Sequence, residues 1–233
     1  MTTTPVPARP ADETRADRFT VASAWAGIIG PALFTAVFLT LEAVLGDRYD
    51  RVAEVVSALE ASPYGWIQRL NFVVFGVLTL LFAAGLHRAV RPSRLGVAGP
   101  ALLGVSGVGL LLAAAFPLRE DAYGVTYDPG GHVVAGVMFF ATTAIGFVVL
   151  SRRLARDPRW HGLSRYVLVA GVAGVAGFVL IGALVMPDDA ALNPYAGVFQ
   201  RAIILVVLFP CRTILGLRTL RVARGRLTTA ART

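Results

Sequence analysis

Six long apolar runs divide the sequence, and each is long enough to cross a bilayer as a helix, which takes about 20 residues. Hydrophobic residues make up 56% of the chain and charged residues 15%, against roughly 25% charged in a typical soluble domain. A soluble fold would have too few polar residues to cover its surface. The sequence therefore predicts an all-α polytopic membrane bundle over residues 21–218. Its six transmembrane helices are expected at residues 21–45, 65–87, 96–117, 131–151, 165–186 and 197–217.

The arginines between the runs predict the orientation of the bundle. All 22 basic residues are arginine. Seventeen lie in the N-terminal tail, the second and fourth loops and the C-terminal segment, to which we assign Arg212, and five lie in the other loops and helix ends. Because positive charge is retained on the cytoplasmic side, both termini are expected in the cytoplasm, and the protein in the plasma membrane. The net charge of +8 is spread between apolar runs, so nucleic acid is not expected as a partner.

The segments outside the runs are polar. Residues 1–20 are proline-bearing and of mixed charge, which predicts a disordered cytoplasmic tail, and residues 219–233 form a basic cytoplasmic tail. Between the first two runs, residues 50–61 place apolar side chains at helical spacing. This pattern predicts a short amphipathic helix that lies on the outer interface or caps the bundle. The apolar positions are Val52, Val55, Val56 and Leu59.

A similar turn precedes each even-numbered helix. Residues 62–65, 128–131 and 193–196 read Ser-Pro-Tyr-Gly, Asp-Pro-Gly-Gly and Asn-Pro-Tyr-Ala. Ser, Asp and Asn are preferred helix N-caps, and proline is tolerated at the first helical position. The recurrence predicts three helix starts and a helical hairpin repeated three times. Glycines concentrate in the odd-numbered helices, which predicts close helix packing within the bundle.

A cluster of polar residues lies near the outer ends of four runs. An ionisable group in the hydrocarbon costs roughly 2.5–3.5 kcal/mol on insertion scales, so each needs an explanation. In one interpretation they line an outward-facing pocket that binds a lipid or a small amphiphile, with an arginine fork holding an anionic group. In the other they lock the bundle, with Glu42 paired to Arg69 or Arg201. The expected ligand-binding residues are Gln68, Arg69, Asn71, Gln200 and Arg201.

Three classes of function stay open. The first is a membrane protein that binds membrane lipids or an amphiphile. The second is an integral membrane enzyme acting on a lipid or isoprenoid, with Glu42, Asp121 or His132 as the acid or base. The third is a small transporter. The lack of charges at the membrane midplane argues against it, because transporters commonly bind their substrates there. No cofactor and no metal are expected. The single cysteine, Cys211, lies in an apolar run and is interpreted as a small buried apolar residue.

Several short motifs together carry a family resemblance. Gly-Pro-x-x-Phe at residues 30–34 is followed by Val-Ser-Ala-Leu at 56–59, Asn-Phe at 71–72, Phe-Pro at 116–117 and Gln-Arg at 200–201. From about residue 22 to 222 the chain resembles the bacterial and archaeal membrane-protein family catalogued as domain of unknown function 998. Members carry an aspartate soon after the Phe-Pro; here the sequence at that place is Leu-Arg-Glu-Asp. The resemblance implies the six-helix architecture and assigns no activity.

Overall fold

The computed structural model describes residues 11–90 and 96–230. Six of its helical spans are long and apolar enough to cross a membrane, as predicted. The first five are α1 Ala11–Leu45, α2 Gly65–Ala89, α3 Ala98–Ala115, α4 His132–Leu154 and α5 His161–Leu184. The sixth combines α6 Ala196–Ala202, a π-helical segment Ile203–Leu208 and α7 Phe209–Ala230.

The helices form a closed ring. Each packs along the next one in the sequence, and α7 closes the ring against α1. One wall is thinner than the others, because α5 touches the sixth span chiefly along the π-helical segment. The connections at residues 46–64, 116–131 and 185–195 share one end of the ring, which we call the capped end. The opposite end, which holds both ends of the described chain, is the terminal end.

The outer surface of the ring is apolar. Val134, Val169 and Val206 are exposed over 69%, 66% and 72% of their area, on three different spans. Water would not tolerate so much uncovered hydrocarbon on a soluble protein, whereas lipid chains cover it at no cost. The chain is therefore an all-α, multi-pass membrane protein.

Glycines hold the helices close together. A side chain at Gly99 would collide with Leu150 of α4, and one at Gly171 would collide with the backbone of Val148. In lipid, such close backbone approach is a main source of helix association. The prediction that these glycines pack within the bundle is confirmed.

The turn tetrads precede helices as predicted, but their capping differs. Asp128 accepts hydrogen bonds from the backbone N–H groups of Gly130, His132 and Val133, and so caps α4. These bonds lower the pKa of Asp128 despite its partial burial, which raises it. Ser62 and Asn193 instead donate to the carbonyls of Leu59 and Val185, behind the helix start. Only in the second tetrad does the polar side chain bond the first N–H groups of its helix, and the N-cap position of α4 itself is Gly131.

Helical structure extends beyond the predicted spans. α1 begins at Ala11, inside the segment expected to be a disordered tail, and α7 continues to Ala230. Tertiary contacts explain the difference: Asp17 is 4% exposed and its carboxylate lies 3.8 Å from the guanidinium of Arg226. Residues 1–10 and 231–233 lie outside the described residues, as does part of the second loop.

Residues 50–61 do not form one amphipathic α-helix. A turn at residues 51–54 precedes a 3₁₀ helix, Val56–Ala61, whose Val56, Ala58, Leu59 and Glu60 are buried. The carbonyls of Val52 and Ala53 accept hydrogen bonds from the first N–H groups of α6. Long-range hydrogen bonds thus replace the local helical ones, and the segment covers the capped end of the ring.

Candidate functional site

Arg201 and Glu42 form a buried ion pair at the capped end. Nε and Nη2 of Arg201 lie 3.0 and 2.6 Å from Oε1 of Glu42, whose residue is 2% exposed. The pair joins the end of α1 to α6, across 159 positions of sequence. The sequence had left two partners open for Glu42 if the polar residues lock the bundle, Arg69 or Arg201, and the structure pairs it with Arg201.

The remaining donors of Arg201 are also used. Nη1 donates to the carbonyl of Glu54 at 2.9 Å, and Nη2 donates to the Tyr49 hydroxyl at 2.7 Å. Burial raises the pKa of the Tyr49 phenol above its usual range, so the hydroxyl stays protonated and can donate to the carbonyl of Val55 at 2.9 Å. With these partners Arg201 holds the loop at the capped end onto the helices, and we call the Arg201–Glu42 ion pair the lock.

The other expected binding residues separate into different surroundings. Gln68 is fully buried and accepts from Nδ2 of Asn71, which also donates to the carbonyl of Phe34 at 3.1 Å. Oε1 of Gln200 accepts the N–H of Val56 at 2.7 Å. Arg69 lies on the exposed face of α2. The two Gln-Arg pairs therefore do not bring their arginines together around one ligand, since Arg69 faces outward and Arg201 bonds groups of the protein.

A buried acid–histidine pair also lies at the capped end. Nδ1 of His132 is 3.1 Å from the carbonyl oxygen of Phe116 and 3.1 Å from Oε2 of Glu60. Because a carbonyl can only accept, Nδ1 carries the hydrogen, and Nε2 is the basic nitrogen of the ring. Glu60 is 5% exposed, and burial raises the pKa of its carboxyl to about 8. Glu60 is thus held as a neutral acid at neutral pH.

Asp121, a candidate acid or base, has a different role. It lies in the exposed turn between two short strands, β1 Arg119–Glu120 and β2 Thr126–Tyr127. Its Oδ1 accepts the N–H groups of Tyr123 and Val125 at 2.8 and 2.9 Å. The carboxylate therefore orders the hairpin and does not join the buried polar groups.

A cavity of about 410 Å³ lies inside the ring, between the capped end and the middle of the bundle. Its polar lining comes from the capped end: Ser57, His132 and Gln200. The rest is apolar, with side chains from all six spans. Six phenylalanines line it: Phe34, Phe72, Phe139, Phe140, Phe178 and Phe209.

A second, small chamber of about 10 Å³ lies deeper, at the middle of the bundle. Arg212 lines it and is 5% exposed, together with the hydroxyl residues Thr79, Ser106 and Thr143, which lie near the centres of α2, α3 and α4. Assigning Arg212 to the cytoplasmic segment was wrong, and so was the conclusion that no charge lies at the midplane. The apolar run continues into a long helix, so Arg212 stands halfway along the sixth span, Asn193–Thr228. Removing it from the arginine tally leaves the large excess on the terminal side.

Sequence reasoning missed Arg212, Tyr49 and Glu60. A signal for Arg212 was present, since Phe-Pro-Cys-Arg lies within the sixth apolar run and an intramembrane ionisable residue is by default a functional candidate. Glu60 and Tyr49 gave no such signal, because each lies in a polar loop segment where a carboxyl or phenol is ordinary. Only the packing of Val56–Ala61 onto the ring buries the Glu60 carboxyl.

Across residues 11–90 and 96–230, His, Cys, Asp and Glu side chains nowhere form a group of three or more that could hold a metal. Cys211 is fully buried, as expected of a small apolar residue.

Comparison with known proteins identifies one family. The model of the family described as Protein of unknown function (DUF998) matches residues 28–230. No curated protein and no solved structure matches the chain.

Proposed function

The chain belongs to the family described as Protein of unknown function (DUF998), and we propose that this member binds a single-chain membrane amphiphile in its central cavity. The observation that carries the proposal is the phenylalanine-lined cavity of about 410 Å³. Small-molecule sites typically measure about 300–1,000 Å³ and are mostly apolar with a few polar groups. A space of this size and lining suits a hydrocarbon chain better than a polar solute.

Entry from the lipid is supported by the thin wall of the ring. Phe178 and Ile181 of α5 line the cavity on one side of this wall, and Ile203 and Ile204 of the sixth span line it on the other. The two spans touch chiefly along the π-helical segment. Segments of π-helix are less regularly bonded and recur at functional sites, so this wall is the route we assign to the chain of the ligand.

In this proposal the polar cluster of the capped end does not bind the ligand but holds in place the loop that covers the cavity. Arg201 and Glu42 fasten the cap, and Gln200 fixes the loop at Val56. A ligand site built on these residues, as the sequence suggested, would have to break those bonds first. The binding surface proposed here is therefore the cavity beneath them.

Filling the cavity tests the proposal. Gly136 and Gly182 line it, and a Cβ at either would meet no heavy atom within 4 Å. A side chain can therefore be added at both positions, and we expect Gly136→Trp, the more buried of the two, to take up more cavity volume than Gly182→Trp. Gly162→Trp is the matched control, because Gly162 is also helical with open space beside it but lines neither cavity. Each protein is purified in a mild detergent and extracted, and co-purifying molecules are quantified by mass spectrometry.

We expect one amphiphile class to be enriched in the wild type and the control and to fall about tenfold or more in the two cavity variants. Equal profiles in all four folded proteins would overturn amphiphile binding in the cavity.

An enzyme acting on the bound lipid is the second candidate, favoured by one observation. His132 lines the cavity and contacts the buried Glu60, which together supply a proton donor and a basic ring nitrogen beside the ligand. Incubating the purified protein with its co-purified amphiphile should then give a product that Glu60→Gln and His132→Gln do not form. An unchanged amphiphile would reject this alternative and leave the binding proposal standing.

A further inference from the structure

Two nitrogens of Arg212 are buried without an acceptor among the described residues. Nη1 donates to the hydroxyl of Thr79 at 2.6 Å. Within the described residues, no protein atom accepts a hydrogen bond from Nε or Nη2. A buried donor that gives up water without gaining an acceptor is costly, and more so when it is charged. The hydrogen-bonding capacity of the Arg212 side chain is therefore not met by the described protein atoms.

Arg212 also has no ion pair with an acidic side chain in residues 11–90 and 96–230. The described residues that line its chamber include no Asp or Glu. The guanidinium lies 4.5 Å from the ring centre of Phe75 and 5.4 Å from that of Phe82, and these faces attract a cation. Aromatic faces do not accept the in-plane N–H groups as a carboxylate does, so both the charge and the hydrogen bonds call for an anion.

The unmatched groups are the ones that bind carboxylates. Nε and Nη2 form the side-on fork of a guanidinium, whose two parallel N–H groups suit the oxygens of a planar oxyanion. Arg201 uses the same two nitrogens to hold Glu42 in this protein. Arg212 instead lines a chamber together with Thr79, Ser106 and Thr143, and its Nη2 packs close to Gly30 of α1, where a Cβ would come within 3.4 Å.

The chamber adjoins the central cavity. Phe139 and Phe209 line both spaces, so these rings stand at the boundary between the hydrocarbon-lined cavity and the guanidinium. At the other end of the cavity the described polar lining is Ser57, His132 and Gln200, and it includes no arginine. Oε1 of Gln200 already accepts from Val56, and Nδ1 of His132 already contacts Phe116 and Glu60. Arg212 is thus the cationic group available to a ligand that carries a negative charge.

We propose that the fork of Arg212 binds a carboxylate at the middle of the bundle, where the chamber of Thr79, Ser106 and Thr143 adjoins the central cavity. The inference rests on the proposed function in one respect, since the favoured source of the carboxylate is a fatty acid whose chain fills the central cavity. A free small carboxylate is the other source of the same chemistry. In both cases Nε and Nη2 donate to the two carboxylate oxygens.

Matched single-chain probes test the inference. Binding of radiolabelled palmitate and of hexadecanol is measured on the full-length protein in detergent, at a pH where the acid is ionised, and acetate is added as a competitor. The variants are Arg212→Met, which removes the charge at similar length, and Arg212→Lys, which keeps the charge and loses the fork. Thr40→Val is the control, because Thr40 is exposed and bonds only its own helix at the carbonyl of Ala36.

We expect wild-type protein and the control to bind palmitate about tenfold or more tightly than hexadecanol. Arg212→Met should erase that preference while hexadecanol binding stays within about twofold of the wild type, and Arg212→Lys should fall between them. A comparison of the two probes on the wild type alone decides the matter if a variant fails to fold. Acetate that competes with palmitate or raises the Tm in an Arg212-dependent manner identifies a free anion as the ligand.

The two proposals fail in different ways. Equal affinity for palmitate and hexadecanol in the wild type, together with no effect of acetate, overturns the carboxylate site and leaves amphiphile binding intact. Acetate binding that depends on Arg212, without binding of either long-chain probe, supports the carboxylate site and removes the amphiphile.

Discussion

Two arginines of the sixth span, Arg201 partly buried and Arg212 buried, differ in the partners that the fold gives them. Arg201, at the capped end, holds the carboxylate of Glu42, a backbone carbonyl and the hydroxyl of Tyr49. Arg212, at the middle of the bundle, has the hydroxyl of Thr79 and two aromatic faces. The first charge is neutralised within the protein, whereas the second keeps its carboxylate-binding fork unmatched. The difference shows that a buried charge serves stability where it is paired and points to a ligand where it is not.

Glu60 shows a third way to bury an ionisable group. Its carboxyl has the Nδ1–H of His132 beside it and no arginine in contact, and it avoids the cost of a buried charge by keeping its proton. Arg212 has no such route at neutral pH, because a guanidinium does not give up its proton under ordinary conditions. The three residues therefore show a paired charge, a neutralised acid and a charge that the described residues leave unpaired, all within one membrane bundle.

Removing Arg201 should have the largest effect. Arg201→Ala leaves the carboxylate of Glu42 buried and unpaired, so we expect the free energy of unfolding to fall by about 3–5 kcal/mol. Unfolding of the detergent-solubilised protein by denaturant measures the change. The double variant Arg201→Ala/Glu42→Gln should recover part of the loss, because no charge is then left without a partner. A single variant as stable as the wild type would end the interpretation of this pair as a lock.

The neutralised acid predicts a pH dependence. The pKa of Glu60 is about 8 in the folded protein against an ordinary value of 4.5, so the folded state keeps a proton that the unfolded chain releases between these values. The contribution of Glu60 to the free energy of unfolding should therefore be greatest below about pH 4.5, fall by a few kcal/mol as the pH rises to about 8, and level off above it.

Glu60→Gln should flatten this slope, whereas Glu120→Gln, at an exposed site in the hairpin, should leave it unchanged. Denaturant unfolding at a series of pH values measures both variants. Titration of His132 and of its neighbour Asp128 also contributes nearby, and His132→Gln isolates the contribution of the histidine. A slope that survives in Glu60→Gln would show that the carboxyl is not the titrating group.

Removing Arg212 should act in the opposite direction to removing Arg201. In ligand-free protein, Arg212→Met replaces a charge with two unmatched donors by an apolar side chain, so we expect a gain in stability on the order of 1–3 kcal/mol. Thermal unfolding after exhaustive delipidation in detergent measures it. A loss of stability would mean that the contacts with Thr79, Phe75 and Phe82 satisfy the guanidinium, and the contrast between the two arginines would disappear.

Tyr49 tests how complete the shell around Arg201 is. Tyr49→Phe removes one acceptor of Nη2 and one donor to the carbonyl of Val55, which should cost about 1 kcal/mol. In the Arg201→Ala background the same change should cost less, because the two side chains then no longer interact. A double-mutant cycle by thermal unfolding provides the coupling, and additive effects would place Tyr49 outside the lock.

The hydroxyls around Arg212 should give the smallest effects. Oγ1 of Thr143 is buried without a hydrogen-bond partner among the described residues, so Thr143→Val should change stability by under about 0.5 kcal/mol in ligand-free protein. Thr79→Val, which removes the acceptor of Nη1, should cost about 1 kcal/mol. Comparable losses in both variants would indicate that the chamber is already a satisfied network.

The spans of this protein could be predicted from the sequence, and most of its polar contacts could not. The number of helices follows from the length of each apolar run, which is a local property that sums over some 20 residues. The polar cluster of the capped end was found in the same way. Its division into a lock, an amide pair and an acid–histidine pair depends on how each helix is rotated about its axis, which the run itself does not specify.

The start and the middle of the sixth span illustrate this limit. Gln200 and Arg201 were recognisable as polar residues at a helix start, and the sequence offered Glu42 as a partner. Arg212 was assigned to a loop because an arginine near the end of an apolar run is ordinarily a boundary. Its depth is decided by the continuation of α7 to Ala230 and by the packing of that helix on α1.

By itself, the sequence determined that the chain spans a membrane six times, where the even-numbered helices begin and which glycines allow close packing. These features depend on hydrophobic run length, turn residues and side-chain size, all of which act within a few turns of helix. The tertiary structure alone decided that Arg201 reaches Glu42, that Glu60 is buried against His132, and that Arg212 faces a chamber without a carboxylate. Such contacts join residues far apart in the chain, and their energies depend on distance, burial and orientation, which only the closed ring of helices defines.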